Sequence, residues 1–221
     1  MSRRREEYVG EWLPEPLLTS PDVADDVELA ENLSIAMLTV LETLGPAERA
    51  VFVLREVFDT PYEEIAEVVD KTPAAVRQIA HRARDHVASR RPRMPVSPTE
   101  QQQVVDRFLA AVRDGDLQGL LDVLAPEVVV VADGGGLRPA ARRPIEGAKR
   151  VAAFLMGAAR LDLVATPIWV NGAAGAQLDI DGALDTAVSV VVEEGRITRI
   201  YAIRNPHKLG HLDGVAALSR S

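Results

Sequence analysis

Apolar residues recur at helical spacing in four stretches of the first half of the chain. The first two stretches lie on either side of a Gly45-Pro46 break, which ends one helix and starts the next. Their apolar positions are Ala30, Leu33, Met37, Leu41 and Leu44, then Ala47, Ala50, Val51, Leu54, Val57 and Phe58. The other two stretches have Tyr62, Ile65, Ala66 and Val69, then Val76, Ile79, Ala80, Ala83 and Val87. This periodicity predicts four amphipathic helices that form an all-α domain over residues 26–91.

The corner between the third and fourth predicted helices is short. Asp70 and Lys71 alone separate them, while Thr72 can cap the next helix and Pro73 suits its first position. Such a corner is typical of a helix-turn-helix, whose second helix enters the major groove of DNA. Its outward residues, the candidate DNA contacts, are Thr72, Ala74, Arg77, Gln78, His81, Arg82 and Arg84. The alternative is an ordinary amphipathic helix with a solvated basic face.

The pattern changes after a proline-rich stretch, residues 92–98, which favours an extended linker. Helical stripes follow at 104–112, 117–124 and 147–159, and strand-like runs follow at 128–131, 163–170, 176–180, 186–193 and 196–204. Gly195 marks a hairpin turn. Residues 99–221 are therefore expected to form an α+β domain with three helices against a curved sheet of four to five strands.

A second proline-rich stretch lies ahead of the helical domain, within a predicted linker of residues 1–25. It reads WLPEPLLTSP over residues 12–21, and it is expected to lack regular structure. Trp12, Leu13 and Leu17 are costly to expose. We therefore expect them to dock onto another part of the protein, with burial against the helical bundle as an alternative.

The formal net charge of −8 argues against nucleic-acid binding only when it is averaged over the chain. Between Lys71 and Arg93 the chain has seven Lys or Arg residues and a single acid, Asp85. Contacts to phosphate would supply salt-dependent affinity there, while Gln78 suits adenine and Arg77 or Arg82 suits guanine. The cations at residues 90, 91 and 93 fit a solubilising linker somewhat better than they fit contacts to bases.

The composition excludes several classes of protein. Without cysteine there are no disulfides and no thiolate metal sites, which suits a reducing cytoplasm. No apolar run reaches the roughly 20 residues of a spanning helix, and the first residues lack the apolar core of a secretory signal. We therefore expect a globular cytoplasmic protein, of bacterial origin, that does not engage a membrane.

With these residues in view, the chain resembles extracytoplasmic-function (ECF) sigma factors that carry a SnoaL-like C-terminal extension. Residues 26–91, above all YEEIAEVVDKTPAAVRQIAHRAR, are similar to sigma region 4, and residues from Ser97 onward are similar to a SnoaL-like, or NTF2-like, cone. Three short strings sharpen the resemblance, namely WLPEPL at residues 12–17, DGGG at 133–136 and NPHKL at 205–209. The glycine motif of that family ends in lysine where this chain has Leu137, so the role of that lysine does not carry over.

The resemblance implies a division of labour. Region 4 is expected to read the upstream minus-thirty-five promoter element and to touch the flap of the RNA polymerase β subunit. Region 2, which binds core polymerase in that family, has no match in the sequence, so the chain is not expected to initiate transcription alone. A domain-deleted form and a natural truncated paralogue both fit that observation.

The SnoaL-like extension is expected to regulate by packing against the linker. Apolar side chains would anchor the contact, glycines would allow close backbone approach, and Asp133 would accept hydrogen bonds from amides. The residues expected to form it are Trp12, Leu13, Pro14, Leu17, Asp133, Gly134, Gly135, Gly136, Asn205, Pro206, Lys208 and Leu209. The alternative for the glycine string is a plain turn between a strand and a loop.

Two other functions stay open. Cones of this kind can host a general base in an apolar pocket, for which Asp133 is the candidate, with Tyr201 as the hydroxyl that would stabilise an enolate. They can also bind a small apolar ligand that alters docking of the linker. No cofactor is expected, because no glycine loop opens a helix. No metal site is expected either, because Pro206 disfavours the helix that would join His207 and His211. The protein is expected to be a monomer and not an enzyme.

Overall fold

A computed structural model of the protein describes residues 10–25, 34–90, 96–158, 161, 163–212 and 214–215. The side chains of residues 24, 25, 90 and 211 lie outside this description, as do Ala30, Leu33, Arg91 and Arg93 from the predictions. The described residues form two compact units. One falls within Ala36–Pro92, and the other combines residues before Ala36 with residues after Pro92.

The order of elements is helical first and mixed afterwards. In chain order they are β1 (Leu18–Thr19), α1 (Pro21–Asp25), α2 (Ile35–Glu42), α3 (Pro46–Glu56), α4 (Tyr62–Val68), α5 (Pro73–Arg90), α6 (Pro98–Asp114), α7 (Leu117–Val123), β2 (Leu124–Asp133), β3 (Ile145–Glu146), α8 (Ala148–Ala158), β4 (Leu163–Val170), β5 (Ala173–Ile180), β6 (Ala183–Glu193), β7 (Arg196–Ile203) and a 3-10 turn (Leu209–Leu212). The prediction of an all-α domain followed by an α+β domain is confirmed. Among the described helices, none has the length and apolarity needed to cross a bilayer.

The helical unit packs α2 to α5 around two apolar clusters. One cluster joins α2, α3 and α5, and the other joins α3, α4 and α5. Their buried members are Met37, Val40, Leu44, Phe52, Ala83 and Val87 in the first, and Val51, Ile65, Ala66, Val76, Ile79 and Ala80 in the second. The stripe predicted for the fourth helix is therefore its buried face.

The prediction that Val57 and Phe58 support this core is wrong. Helix α3 ends at Glu56, and Val57 and Phe58 are 56% and 69% exposed. The cause is the turn that follows, because Asp59 has a left-handed φ of 47° and reverses the chain before the periodicity can bring either side chain inward.

The second unit is built on one mixed sheet with the strand order β1-β4-β5-β6-β7-β2-β3. Strands β2 and β7 pair in parallel and the other neighbours are antiparallel. One face of the sheet packs with α6, α7 and α8 in the main core, whose members include Phe108, Leu120, Val151 and Ile200. The hairpins that join β4 to β5, β5 to β6 and β6 to β7 each turn at a residue followed by glycine. Both residues of each turn have a positive φ, as Glu194 and Gly195 do. The predicted turn at Gly195 is confirmed.

Three segments differ from the sequence predictions. The stretch before Pro21 was expected to be irregular, yet Leu18 and Thr19 form β1, because the prolines end at Pro16 and the later amides are free to pair with β4. The predicted linker at 92–98 includes Val96, which is buried in the main core; residues 92–95 lie outside the described residues. The tail forms a single 3-10 turn at Leu209–Leu212, since such a short turn tolerates Gly210.

Candidate DNA-reading helix and linker clasp

Helix α5 begins as a recognition helix would. The Thr72 hydroxyl accepts a hydrogen bond from the Ala75 amide at 3.2 Å, and Pro73 is the first helical residue. Asp70 takes a left-handed φ of 51°, which makes the corner after α4 tight. The apolar stripe faces inward, with Val76 and Ala83 fully buried. The residues exposed on the other side are Thr72, Ala74, Arg77, Gln78, His81, Arg82 and Arg84.

Several of these cations have acidic neighbours within the helical unit. Arg77 pairs with Glu63 at 3.0 Å, and both side chains are more than half exposed. Arg82 lies 4.0 Å from Glu48 and is 66% exposed. Both cations are therefore accessible.

Arg84 is held more firmly. It donates to Glu56 at 3.0 Å and to the Tyr62 hydroxyl at 2.6 Å. These two bonds tie α5 to α3 and α4, which gives Arg84 a structural role within the described unit.

Asp133 lies at the end of β2 and is completely buried. Its Oδ2 accepts a hydrogen bond from the backbone amide of Leu13 at 3.0 Å, and its Oδ1 accepts one from the amide of Gly135 at 2.9 Å. The carboxylate thus joins the WLPEPL segment to the glycine loop. A buried carboxylate also needs a positive partner, because an isolated charge is strongly disfavoured away from water.

Lys208 supplies that partner. Its Nζ lies 2.7 Å from Oδ2 of Asp133 and donates to the carbonyl oxygen of Leu13 at 2.5 Å. The same ammonium lies 4.1 Å from the centre of the Trp12 ring, a favourable cation–π position. We call these contacts of Asp133 and Lys208 with Trp12 and Leu13 the clasp. The clasp holds both backbone polar groups of Leu13, whose side chain is fully buried.

The glycine loop brings the tail into the same place. A Cβ at Gly134 would collide with the carbonyl of Arg138, and a Cβ at Gly135, whose φ is +60°, would come within 2.5 Å of the Asn205 side chain. Asn205 in turn accepts a hydrogen bond from the amide of His207 at 3.1 Å, which shapes the turn that carries Lys208. The glycines are thus needed for close approach of the tail.

The residues predicted to form the contact with the linker differ in how deeply they are buried. Pro14 and Leu209 are buried, whereas Gly136 and Pro206 are exposed. Leu137, which replaces the lysine of the family motif, is 57% exposed. The only lysine that the structure places on Asp133 among the described residues is Lys208.

Two residues that hold the linker were missed by the sequence analysis. The side-chain oxygen of Asn171 accepts a hydrogen bond from the backbone amide of Leu17 at 2.8 Å. The backbone amide of Asn171 donates to the carbonyl of Leu17 at 2.9 Å. The hydroxyl of Thr19 accepts from the amide of Gly172 at 3.0 Å. An Asn-Gly pair between two strand-like runs is a hairpin signal, and it would have located this turn. It would not have shown that the turn also binds the linker.

Asp133 is not among the residues that line the apolar cavity found in the described part of the chain, so this cavity does not support the alternative in which Asp133 acts as a pocket base. A cavity of about 430 Å³ lies on the helix-covered side of the sheet, lined by Val130, Ile200 and Ala202 among others. Successive residues of a strand face opposite sides of the sheet, so Asp133 and Tyr201 lie on the other face. Burial raises the pKa of Tyr201, with Arg199 acting in the opposite sense.

Comparison with known proteins places these features in a family. A family model for sigma-70, region 4 matches residues 34–87. The ECF RNA polymerase sigma factor SigJ of Mycobacterium tuberculosis is 34% identical over 223 residues, which cover 94% of this chain and 72% of SigJ. The chain belongs to the ECF sigma factor family. The crystal structure of SigJ matches this sigma factor with a TM-score of 0.74 at 32% identity, over 95% of this chain and 78% of that one.

A more distant relative matches a smaller part. The ECF sigma factor SigG of the same organism is 32% identical over 131 residues, or 53% of this chain and 34% of SigG. Membership of the family assigns this sigma factor a role in transcription initiation, with RNA polymerase and promoter DNA as partners. Sigma factors are not enzymes, so family membership does not support a catalytic role for the buried Asp133.

Proposed function

We propose that α5 reads the upstream promoter element while the helical unit touches the polymerase flap. The observation that supports this most directly is the exposure of Arg77, Gln78 and Arg82 on a helix whose other face is buried in the unit. In this proposal Gln78 pairs with adenine, and Arg77 and Arg82 pair with guanine or phosphate. The exposed ion pairs of Arg77 and Arg82 are weak enough to be exchanged for DNA.

Selection of binding sites from random duplexes, followed by affinity measurements, tests this proposal. We expect Arg77→Ala and Arg82→Ala each to weaken binding of the selected site by about 1–3 kcal/mol and to relax the preference at one base. Arg107→Ala removes an exposed arginine from α6 and is the matched control. Equal loss in all three variants, or no loss in any, would contradict the assignment of α5 as the reading helix.

We propose that the SnoaL-like domain restrains the linker through the clasp. The supporting observation is that Lys208 contacts both Asp133 and the carbonyl of Leu13 in a buried place. Because the clasp takes up the backbone polar groups of Leu13, a clasped linker is not free to follow the polymerase surface. Clasping therefore lowers transcription.

A transcription assay tests the regulatory role. The chain is joined, ahead of Trp12, to region 2 of SigJ and assayed with core polymerase on a promoter that carries the selected site. We expect Lys208→Ala to raise the transcript level severalfold, since the linker is released. Lys149→Ala, which removes an exposed lysine of α8, should leave the level unchanged. Equal transcript levels in the two variants would remove the clasp from the regulatory account.

We further propose that the protein acts in the cytoplasm as a monomer. The face of the sheet that carries Tyr201 is occupied within the chain, since Tyr201, Ser189 and Val191 are each 3% exposed. The linker strand β1 also covers the free edge of β4. Sedimentation equilibrium checks this, and a dimer at micromolar concentration would contradict it.

A further inference from the structure

The cavity on the helix-covered side of the sheet has a size typical of small-molecule sites. It lies between helices α6 and α8 and strands β2 and β4 to β7. Its inner wall is apolar, with Phe108, Leu155, Val188 and Ile200. These residues belong to the main core or pack against it, so the wall is rigid. The space is therefore shaped for an apolar molecule.

The mouth of the cavity leaves large apolar side chains uncovered. Phe154, Leu161 and Val164 line it and are 42%, 51% and 59% exposed. Apolar groups at a cavity mouth lose contact with water when a ligand covers them, which favours binding.

The charged side chains that line the cavity are paired, so its polar lining carries no net charge. Arg113 lies 2.8 Å from the exposed carboxylate of Asp114, and Arg204 pairs with Asp185 at the polar end. Arg204 donates two hydrogen bonds to Asp185, at 2.9 and 3.0 Å, and the hydroxyl of Thr186 donates to the same carboxylate at 2.6 Å. A carboxylate ligand would compete with Asp185 for Arg204, and an ammonium ligand would meet Arg204. A carbonyl or hydroxyl group, which carries no charge, can hydrogen-bond to this pair without disturbing its balance.

Arg204 also reaches the clasp. Its Nη1 donates to the carbonyl of Pro139 at 2.6 Å, in the loop after the glycines, and its backbone amide donates to the carbonyl of Asp133 at 2.7 Å. One residue therefore lines the cavity and holds the residue at the centre of the clasp. A ligand that shifts Arg204 acts on the loop and on Asp133 together.

We propose that this cavity binds an uncharged, largely apolar small molecule with one carbonyl or hydroxyl group at the Arg204–Asp185 end, and that binding loosens the clasp. The binding site stands on the cavity alone. The effect on the clasp rests on the proposed regulatory function, so the two parts are measured separately.

Titration of the full chain with prodan, a neutral naphthalene ketone whose emission shifts to the blue in apolar surroundings, tests the site. We expect saturable binding that is weakened about tenfold or more by Ala202→Phe, which fills the cavity from β7. Ala183→Phe places the same side chain at an exposed position outside the lining and is the control. Ala165→Phe fills the cavity from β4 and replaces Ala202→Phe if that variant does not fold.

The neutrality of the polar end has a test of its own. The parent chain should prefer prodan to the anion of 2-naphthoic acid, and Asp185→Asn should reverse that preference because Arg204 then carries an uncompensated charge. Absence of saturable binding by prodan, or binding that survives both cavity-filling variants, overturns the site. A dimer that forms through the mouth and excludes prodan would overturn it as well.

Hydrogen exchange at residues 12–19 tests the coupling. Saturating prodan should speed exchange there in the parent chain, and it should have no further effect in Lys208→Ala, in which the clasp is already open. If prodan binds and exchange is unchanged, the coupling is overturned while the site stands. If exchange responds to prodan but Lys208→Ala does not alter transcription, the regulatory function fails and the coupling holds.

Discussion

Gly135 and Gly136 share a left-handed backbone but differ in their surroundings. A side chain at Gly135 would meet Asn205, whereas nothing lies within 4 Å of a Cβ at Gly136. We expect Gly136→Ala to cost only the backbone strain, about 1–2 kcal/mol in the free energy of unfolding. Gly135→Ala should cost clearly more, because Asn205 must also move.

Urea unfolding of both variants measures the difference, and hydrogen exchange at residues 12–19 shows whether the clasp is affected. Gly135→Ala should speed exchange of this segment, and Gly136→Ala should not. Similar behaviour of the two variants would mean that close approach between the loop and the tail does not support the clasp.

Asp185 makes the stability of the folded protein depend on pH in the acidic range. Burial alone would raise the pKa of this carboxyl, but hydrogen bonds from Arg204 and Thr186 and the positive charge of Arg204 outweigh it, so the pKa lies below its ordinary value. A lowered pKa in the folded state stabilises the protein above the unfolded pKa of about 3.9 and loses that effect as pH falls through the folded value.

Asp185→Asn should therefore lower the free energy of unfolding by about 1.5–3 kcal/mol at pH 7, and the gap to the parent should narrow below about pH 4. Asp114→Asn, which breaks an exposed ion pair with Arg113, is the control and should change stability little. Chemical unfolding at several pH values provides the comparison. A gap that widens in acid would contradict the assigned direction of the pKa.

At the level of single residues, the sequence predicted which side chains take part in the contact better than it predicted which pairs they form. Asp133 and Lys208 were placed in one regulatory contact by the family motifs, but the ion pair between them was not foreseen, because the residues are 75 positions apart. Asn171 was missed because its turn signal says nothing of a distant partner. Val57 and Phe58 fitted a helical stripe, and only the turn at Asp59 removes them from the core.

A single arginine caps the C-terminal end of helix α2. Arg49, on α3, donates to the carbonyl oxygens of Leu41, Glu42 and Leu44 at 3.1 to 3.4 Å, and it also pairs with the Glu42 side chain at 2.9 Å. Carbonyls at a helix end otherwise lack partners, so this cation closes α2 and joins it to α3.

Arg49→Ala should lower the free energy of unfolding by about 1.5–3 kcal/mol, and Arg49→Lys should recover only part of it, because an ammonium cannot reproduce the planar fork. Circular dichroism during thermal unfolding measures both. Lys71→Ala removes an exposed cation of the same unit and should have little effect. Full recovery by lysine would show that charge alone matters at this helix end.

At the level of elements, periodicity predicted whether a segment is a helix or a strand better than it predicted where that element begins and ends. The five longer strands each overlap a predicted run, since alternating burial is a local property of the sequence. The two-residue strand β1 was not predicted, because its existence depends on the edge of β4, which lies about 150 residues further along the chain.

At the level of the whole molecule, the clasp lies entirely within one compact unit. Its residues and the linker strand all belong to the unit that contains the sheet. Opening it with Lys208→Ala should therefore speed hydrogen exchange at residues 12–19 and 205–212, while exchange across α3 to α5 stays unchanged. Lys149→Ala is the control. Faster exchange throughout the chain would show that Lys208 supports global rather than local stability.

The distance along the chain between Leu13 and Lys208, 195 residues, also has a consequence during synthesis. At a ribosomal rate of about 5–20 residues per second, Lys208 is added roughly 10–40 s after Leu13. During that interval the carbonyl of Leu13 cannot receive its hydrogen bond from Lys208, so this contact forms only when synthesis of the chain is nearly over.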